Sequence, residues 1–150
     1  MIGVLLNPNA LGVRRRHDLG ERFRAILGRD GVLVETRTPD EVPGAIARFA
    51  EMGCDPVGIC GGDGTNLSTV TGYMHGLVNG RGLPRFVLLP GGTVNTVAKN
   101  LRIRGGPEQV LRRTVEQIRA AVAAVPLDAE QGRPVIFAAS RCANYHLNQR

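Results

Sequence analysis

The chain has no tryptophan, two tyrosines and four phenylalanines in 150 residues. Aromatic platforms set among basic residues, on which single-stranded nucleic acid would stack, are therefore missing, and no nucleic-acid partner is expected. Its three cysteines, Cys54, Cys60 and Cys142, include no C-x-x-C pair. That spacing argues against a zinc site, and the odd count argues against a disulfide framework. A reducing, cytoplasmic compartment is the expectation. No apolar run approaches the roughly 18 residues needed to span a bilayer. The apolar run within residues 1–9 is too short for a signal peptide and has no basic residue ahead of it. His17, His75 and His146 show no metal-ligand spacing. Lysine is nearly absent, Lys99 being the only one.

What is present suits a globular domain. Hydrophobic residues make up 43% and charged residues 21%. A domain of this length buries roughly 68–70% of its unfolded surface, enough for a real core. The net charge of +6 is carried almost wholly by arginine, which stays ionised and grips planar oxyanions with a fork of donors. Nucleotide phosphates, or peripheral contact with an anionic membrane, fit that balance.

Short apolar runs alternate with helical spacings. Residues 2–6 read as a strand ending in the turn Asn7-Pro8-Asn9. Leu19, Phe23, Ile26 and Leu27 recur at helical spacing. Residues 32–35 form a second strand. Asp40 is the expected N-cap of the next helix, with Pro43 in its first turn and Val42, Ile46 and Phe49 on its apolar face. Residues 57–60 form a third strand, apolar throughout, as a strand covered on both faces should be. Leu67, Val70, Met74, Leu77 and Val78 mark an amphipathic helix. A fourth strand spans 86–89, a short helix about 94–101, and a longer helix carries Val110, Leu111, Val115, Ile118 and Val122 on one face. This alternation predicts an α/β fold, a parallel-sheet nucleotide-binding domain with helices on both faces. It occupies about residues 1–130. Residues 126–130 and 134–139 read as two further strands, so 131–150 are expected to be the start of a truncated second domain or a tail.

Two glycine turns carry the chemistry. Gly61-Gly62-Asp63-Gly64-Thr65 lies between a buried strand and a helix, where α/β proteins bind phosphates. Glycine lets the backbone approach an oxyanion and permits positive φ. The following helix, expected to start near Thr65, aims its free N–H groups at the ligand. Asp63 would repel a phosphate unless it holds Mg²⁺ or accepts a proton. A tight turn with Asp63 as a capping residue is the purely structural alternative. Neither G-x-x-x-x-G-K-[ST] nor G-x-G-x-x-G is present. The second turn, Pro90-Gly91-Gly92-Thr93-Val94-Asn95, repeats the logic at the next strand end, so both can flank one crevice. Arg14, Arg15 and Arg16 follow the first strand and could reach phosphate or anionic lipid, or form a solvated loop. Cys60 reads as strand packing. Lys99 and the arginines at 112, 113 and 119 read as helix surface.

Asn7-Pro8, GGDGT at 61–65 and PGGTVN at 90–95, in this order and spacing, resemble the diacylglycerol kinase catalytic domain family of lipid kinases. Sphingosine and ceramide kinases and bacterial lipid kinases belong to it. The resemblance covers about residues 1–140. GGDGT alone also occurs in NAD kinases; PGGTVN followed by residues 97–101, VAKNL, favours the lipid kinases. The resemblance implies an ATP-binding α/β domain followed by a β-rich domain that completes the lipid site. It implies ATP and Mg²⁺ as cofactors and a lipid such as diacylglycerol as acceptor. By the same resemblance Gly61, Gly62, Gly64 and Thr65 contact ATP phosphates. Asn7, Thr36 and Thr93 contact the nucleotide, with Thr38 an alternative to Thr36. Asn66, Gly91, Gly92 and Asn95 complete the ATP-binding set, and Asp63 is catalytic, as base for the lipid hydroxyl or through Mg²⁺.

The chain departs from the family pattern in three ways. Ser68 stands where the family has a glutamate, and Thr96 where it often has an aspartate. Most of the second domain is missing, and only residues 134–139 resemble its opening strand. Fewer carboxylates weaken a metal site. A non-catalytic nucleotide-binding module, or an inactive fragment, is therefore the alternative function, and an NAD kinase a third. Apolar helix faces left uncovered would offer a homodimer contact.

Overall fold

The computed structural model describes residues 1–76 and 82–123. The expectations for Leu77, Val78, Cys142, His146 and the strands at 126–130 and 134–139 lie outside the described residues. The chain runs β1 (Ile2–Leu6), α1 (Leu11–Arg14), α2 (Leu19–Leu27), β2 (Gly31–Glu35) and a 3₁₀ turn (Pro39–Glu41) into α3 (Val42–Glu51). It continues through β3 (Val57–Gly61), α4 (Asp63–His75), β4 (Phe86–Pro90), α5 (Thr96–Asn100) and α6 (Pro107–Ala123).

The four strands form one parallel sheet in the order β2-β1-β3-β4. Central strands β1 and β3 are buried along their full length, which is why they read as unbroken apolar runs. Pleating sends Ile2, Val4 and Leu6 to one face, where they meet Leu19, Phe23, Ile26 and Leu27 of α2 and Val110, Leu111 and Val115 of α6. Leu5 faces the other way and joins Val57, Val42, Ala45, Ile46 and Phe49 of α3, and Tyr73 of α4. Tyr73 meets Phe86 edge-on, with ring centroids 5.4 Å apart. The sheet is thus sandwiched between two helical layers.

This strand order positions the site. From β1 the chain steps outward to β2, then returns across β1 to β3. The loops leaving β1 and β3 therefore part in opposite directions, and a crevice opens between them at the C-terminal sheet edge. That reversal is where open α/β sheets bind ligands.

Three local expectations fail. Asp40 does not cap α3: it lies exposed in the 3₁₀ turn, and α3 begins at Val42 with no side-chain capping bond. The apolar face assigned to α4 is wrong. Leu67 is 70% exposed and Met74 is exposed, while Thr69 and Tyr73 are the buried residues. The cause is close packing on α3: a Cβ added at Gly72 would lie 2.6 Å from Ile46 Cδ1, so the Ile46 side chain fills the space that glycine leaves. On α6 the stripe holds through Ile118, which packs half-buried against the core, and fails only at Val122, which is exposed.

Phe23 is fully buried on the inner face of α2. Phe23→Ala should cost about 3–5 kcal/mol of unfolding free energy through the cavity it leaves. Leu67→Ser should stay within about 0.5 kcal/mol. Urea midpoints at constant m-value read both, and a large loss at Leu67 would show that its exposure is misassigned.

Candidate functional site

Three chain segments meet over the crevice. At the end of β1, Asn7 donates its backbone N–H to the carbonyl of Cys60, 2.8 Å away, continuing the β1–β3 ladder by one bond. The Asn7 amide then donates to Thr65 Oγ1 at 3.0 Å, while its Oδ1 accepts the N–H of Asn9 at 2.9 Å. One side chain thus shapes the β1 turn and ties it to the first turn of α4. Thr65 is fixed from the other side by Ser68 and Thr69, whose hydroxyls donate to its carbonyl. Asn9 reaches the carbonyl of Arg37 beyond β2, closing the third wall.

The glycines serve close approach. None of those in the two turns adopts positive φ, contrary to the expectation; Asn95 is the left-handed residue, at φ 51°. A Cβ at Gly61 would lie 2.5 Å from Thr65, one at Gly91 2.9 Å from the Gly61 nitrogen, and one at Gly92 2.8 Å from the Gly62 Cα. The two turns therefore pack backbone against backbone, and the Gly91 N–H donates to the Gly61 carbonyl at 3.1 Å. Gly12, which no sequence pattern singles out, closes the cluster: a Cβ there would meet the Gly91 carbonyl oxygen at 2.5 Å. Gly64 differs from all of these, because a Cβ there would point into open space. The protein itself does not require glycine at 64.

Asp63 starts α4, two residues earlier than expected, and its carboxylate reaches across to α5. Its oxygens accept the backbone N–H of Thr96 at 3.0 Å and of Val97 at 3.3 Å. These N–H groups hold the carboxyl below its ordinary pKa, Thr96 contributing most, with Val97, the Thr96 hydroxyl and the charge of Lys99 adding to it. The capping alternative is thus realised, although on the neighbouring helix. A carboxylate held ionised in this way is a weak base but a competent cation ligand. Asn95 is occupied within its own turn, accepting from the Gly92 N–H and donating to the Gly92 carbonyl, both at 2.8 Å. Cys60 is inert packing: burial pushes its thiol up to about 12.

A cavity of about 540 Å³ opens over these turns. Of the anticipated residues, Asn7, Thr36, Gly62, Asp63, Gly64, Thr65, Gly92, Thr93 and Asn95 line it. Gly61, Asn66 and Gly91 do not; the first and last are buried in the turn-to-turn packing, and Asn66 Oδ1 is buried without a partner among the described residues. Arg37, Thr38, Pro39 and Val42 form a wall that the sequence suggested only through Thr38. Arg37 is the one lysine or arginine in the lining, and Asp63 the one carboxylate. Gly62, the N-cap of α4, offers no side chain to the helix's first-turn N–H groups. No cluster of three or more His, Cys, Asp or Glu residues fit to hold a metal occurs among the described residues.

The model of the diacylglycerol kinase catalytic domain matches residues 1–126. The chain belongs to the diacylglycerol kinase catalytic domain family. Its fold is similar to that of two crystal structures from Bacillus anthracis str. Sterne, one described as a diacylglycerol kinase and the other provisionally so. The TM-scores are 0.58 and 0.59, each at 19% identity over 77% of this chain. The chain spans 42% of the length of each of those structures. No curated protein matches it. Two of the three departures from the family pattern have local roles. The Ser68 hydroxyl donates to the Thr65 carbonyl, and Thr96 supplies the stronger of the two backbone bonds to Asp63.

Gly92→Ala should lower stability by about 1–3 kcal/mol, because Gly62 cannot retreat from the added methyl. Gly64→Ala should leave stability unchanged or raise it by up to about 1 kcal/mol, alanine being the better helix former. Thermal melts of the two variants decide the matter, and equal losses would contradict the packing described. Asp63 makes a separate prediction. Its pKa is depressed in the fold, so its stabilising contribution is complete above the ordinary carboxylate range near pH 4 and fades as pH falls through the lowered value. Asp63→Ala should therefore show a shallower loss of melting temperature on acidification than the unmodified chain.

Proposed function

We propose that this chain is the nucleotide-binding part of an ATP-dependent lipid kinase, which passes the γ-phosphate of ATP to a hydroxyl of a lipid such as diacylglycerol. The observation that carries this reading is Gly64. It sits in the first turn of a helix with no side-chain cap, it lines the cavity, and beyond its own stretch of helix no protein atom lies within 4 Å of where its side chain would start. Glycine at such a place leaves room for a phosphate against the backbone N–H groups. The cavity volume also suits a nucleotide.

The residues present fit Mg²⁺ bound together with nucleotide. Mg²⁺ takes one or two carboxylates and completes its shell with phosphate oxygens and water. Asp63, ionised and facing the cavity, supplies the carboxylate, with the hydroxyls of Thr65 and Thr93 nearby in the lining. The metal would neutralise charge on the transferring phosphoryl group. Phosphoryl transfer through a loose transition state needs positioning and charge stabilisation more than a strong base. The depressed pKa of Asp63 accords with a metal-holding role better than with proton abstraction. Its tie to α5 sets the two glycine turns at a fixed separation around the phosphates. Asn7 and Thr65 fix the third side, Thr36 and the wall through Val42 would flank the nucleoside, and residues 131–150 would lead into the lipid-binding domain.

A non-catalytic nucleotide-binding module is the second reading. It is favoured by Asp63 being the lone carboxylate of the cavity and by its use as a helix cap.

Calorimetric titration with ATP should show saturable binding that strengthens with Mg²⁺. Gly64→Ala should weaken binding about tenfold or more, the loss of roughly one charge-assisted hydrogen bond. Asp63→Asn should bring the affinity measured in Mg²⁺ down to the metal-free value. No binding of millimolar ATP by the folded chain would remove the reading. Transfer of labelled phosphate to diacylglycerol, above the Asp63→Asn background, would separate the kinase from the binding module.

A further inference from the structure

A second cavity, of about 440 Å³, lies on the other side of the β1 turn and is lined by residues from α1, the first turns of α2 and the end of β2. Four arginines line it, Arg14, Arg16, Arg24 and Arg37, together with His17. Only Glu21 and Glu35 oppose them, so the groove carries net positive charge. The two walls differ in kind. On one, Glu35 neutralises Arg24 at 2.8 Å and lies 3.9 Å from Arg37. On the other, Arg14 and Arg16 have no carboxylate partner among the described residues.

Their segment is nevertheless fixed. Arg14 N–H donates to the Ala10 carbonyl, Arg16 N–H to that of Val13, and Leu19 N–H to that of Arg16, at 2.8–3.0 Å. Val13 is buried in the core between them. The Arg16 guanidinium lies over Gly106, with Nη1 3.7 Å from where a Cβ would stand. Two guanidiniums without a carboxylate partner among the described residues are thus carried on an ordered turn beside a concave space. Guanidinium forks match the paired oxygens of a phosphate. A solvated basic loop would account for the charge, but not for a concave site with one wall neutralised and the other left open.

We propose that this groove binds a phosphate group, presented either by an anionic lipid headgroup or by a free phosphomonoester, and that Arg14 and Arg16 hold it. The site is separate from the glycine turns, shares only Arg37 with their cavity, and does not rest on the kinase reading. It opens toward the same C-terminal sheet edge. A headgroup held there would set the first cavity against the membrane surface.

The test uses the 150-residue chain, the double variant Arg14→Gln with Arg16→Gln, and a charge-matched control, Arg48→Gln with Arg112→Gln. Both control positions are exposed and line neither cavity. Equal melting temperatures establish that all three fold. Co-sedimentation with phosphatidylcholine vesicles containing phosphatidic acid should weaken about 30-fold in the groove variant, each arginine contributing roughly fivefold at an anionic surface. The control should lose far less, and ATP affinity should be unchanged in both. If no vesicles bind, but inorganic phosphate raises the melting temperature of the unmodified chain and the control more than that of the groove variant, the free phosphomonoester is the ligand. Equal losses in the two double variants, or no response to either probe, would overturn the site. Loss of ATP binding in the unmodified chain, with vesicle binding kept, would remove the kinase reading and leave this one standing.

Discussion

The ends of β3 and β4 approach so closely that their turns touch backbone to backbone, and much of the site follows from that contact. Gly91 and Gly92 on one turn leave no room for side chains against the backbone of Gly61 and Gly62 on the other. The Gly91–Gly61 hydrogen bond extends the sheet one step beyond its strands. Because the turns cannot separate without losing that packing, the peptide groups above them form a fixed surface. A fixed array of N–H groups loses little entropy when it meets an anion, which makes such a surface a better receptor than flexible side chains. Gly12 brings the first loop into the same contact, so all three loops are set by one small region of bare backbone.

Asp63 shows how a single carboxylate can serve both fold and chemistry. By accepting the Thr96 and Val97 N–H groups it fixes α5 against α4. Those same bonds keep it charged, and charge at the cavity wall is what a cation needs. The structural account of this residue and the functional one therefore reinforce each other. Asn95 is a contrast. Its side chain is spent on Gly92, and its left-handed backbone completes the turn, so its role in the structure is to shape the loop.

Much of the fold was legible because the sheet is parallel and covered on both faces. Residues 2–6 and 57–60 are apolar without interruption, a pattern that partly exposed strands would not keep. Phe23 with its helical neighbours, and Val110, Leu111 and Val115, declared their inward faces by spacing alone. The helix after the first glycine turn misled because its contact with α3 is made by Gly72 and Tyr73. A tight helix pair buries small residues, and hydrophobic periodicity does not register them. The cap expected at Asp40 failed for another reason: Asp40 is taken up in the 3₁₀ turn that runs straight into α3, and Glu41 holds the N-cap position.

The sequence by itself determined the chemistry of the loops: glycine where backbone must be bare, one aspartate among them, an asparagine at the end of the first strand, and arginine in place of lysine. Spacing along the chain carried that information, since each motif lies within a few residues. Only the tertiary structure decided which of those groups share a space. The strand order sets Asn7 beside Thr65, 58 residues away, and sends Asp63 to a helix 33 residues further on. It also divides the basic residues between two cavities, with Arg37 bordering both. Such pairings depend on the direction in which the chain crosses the sheet, and no local pattern encodes that direction.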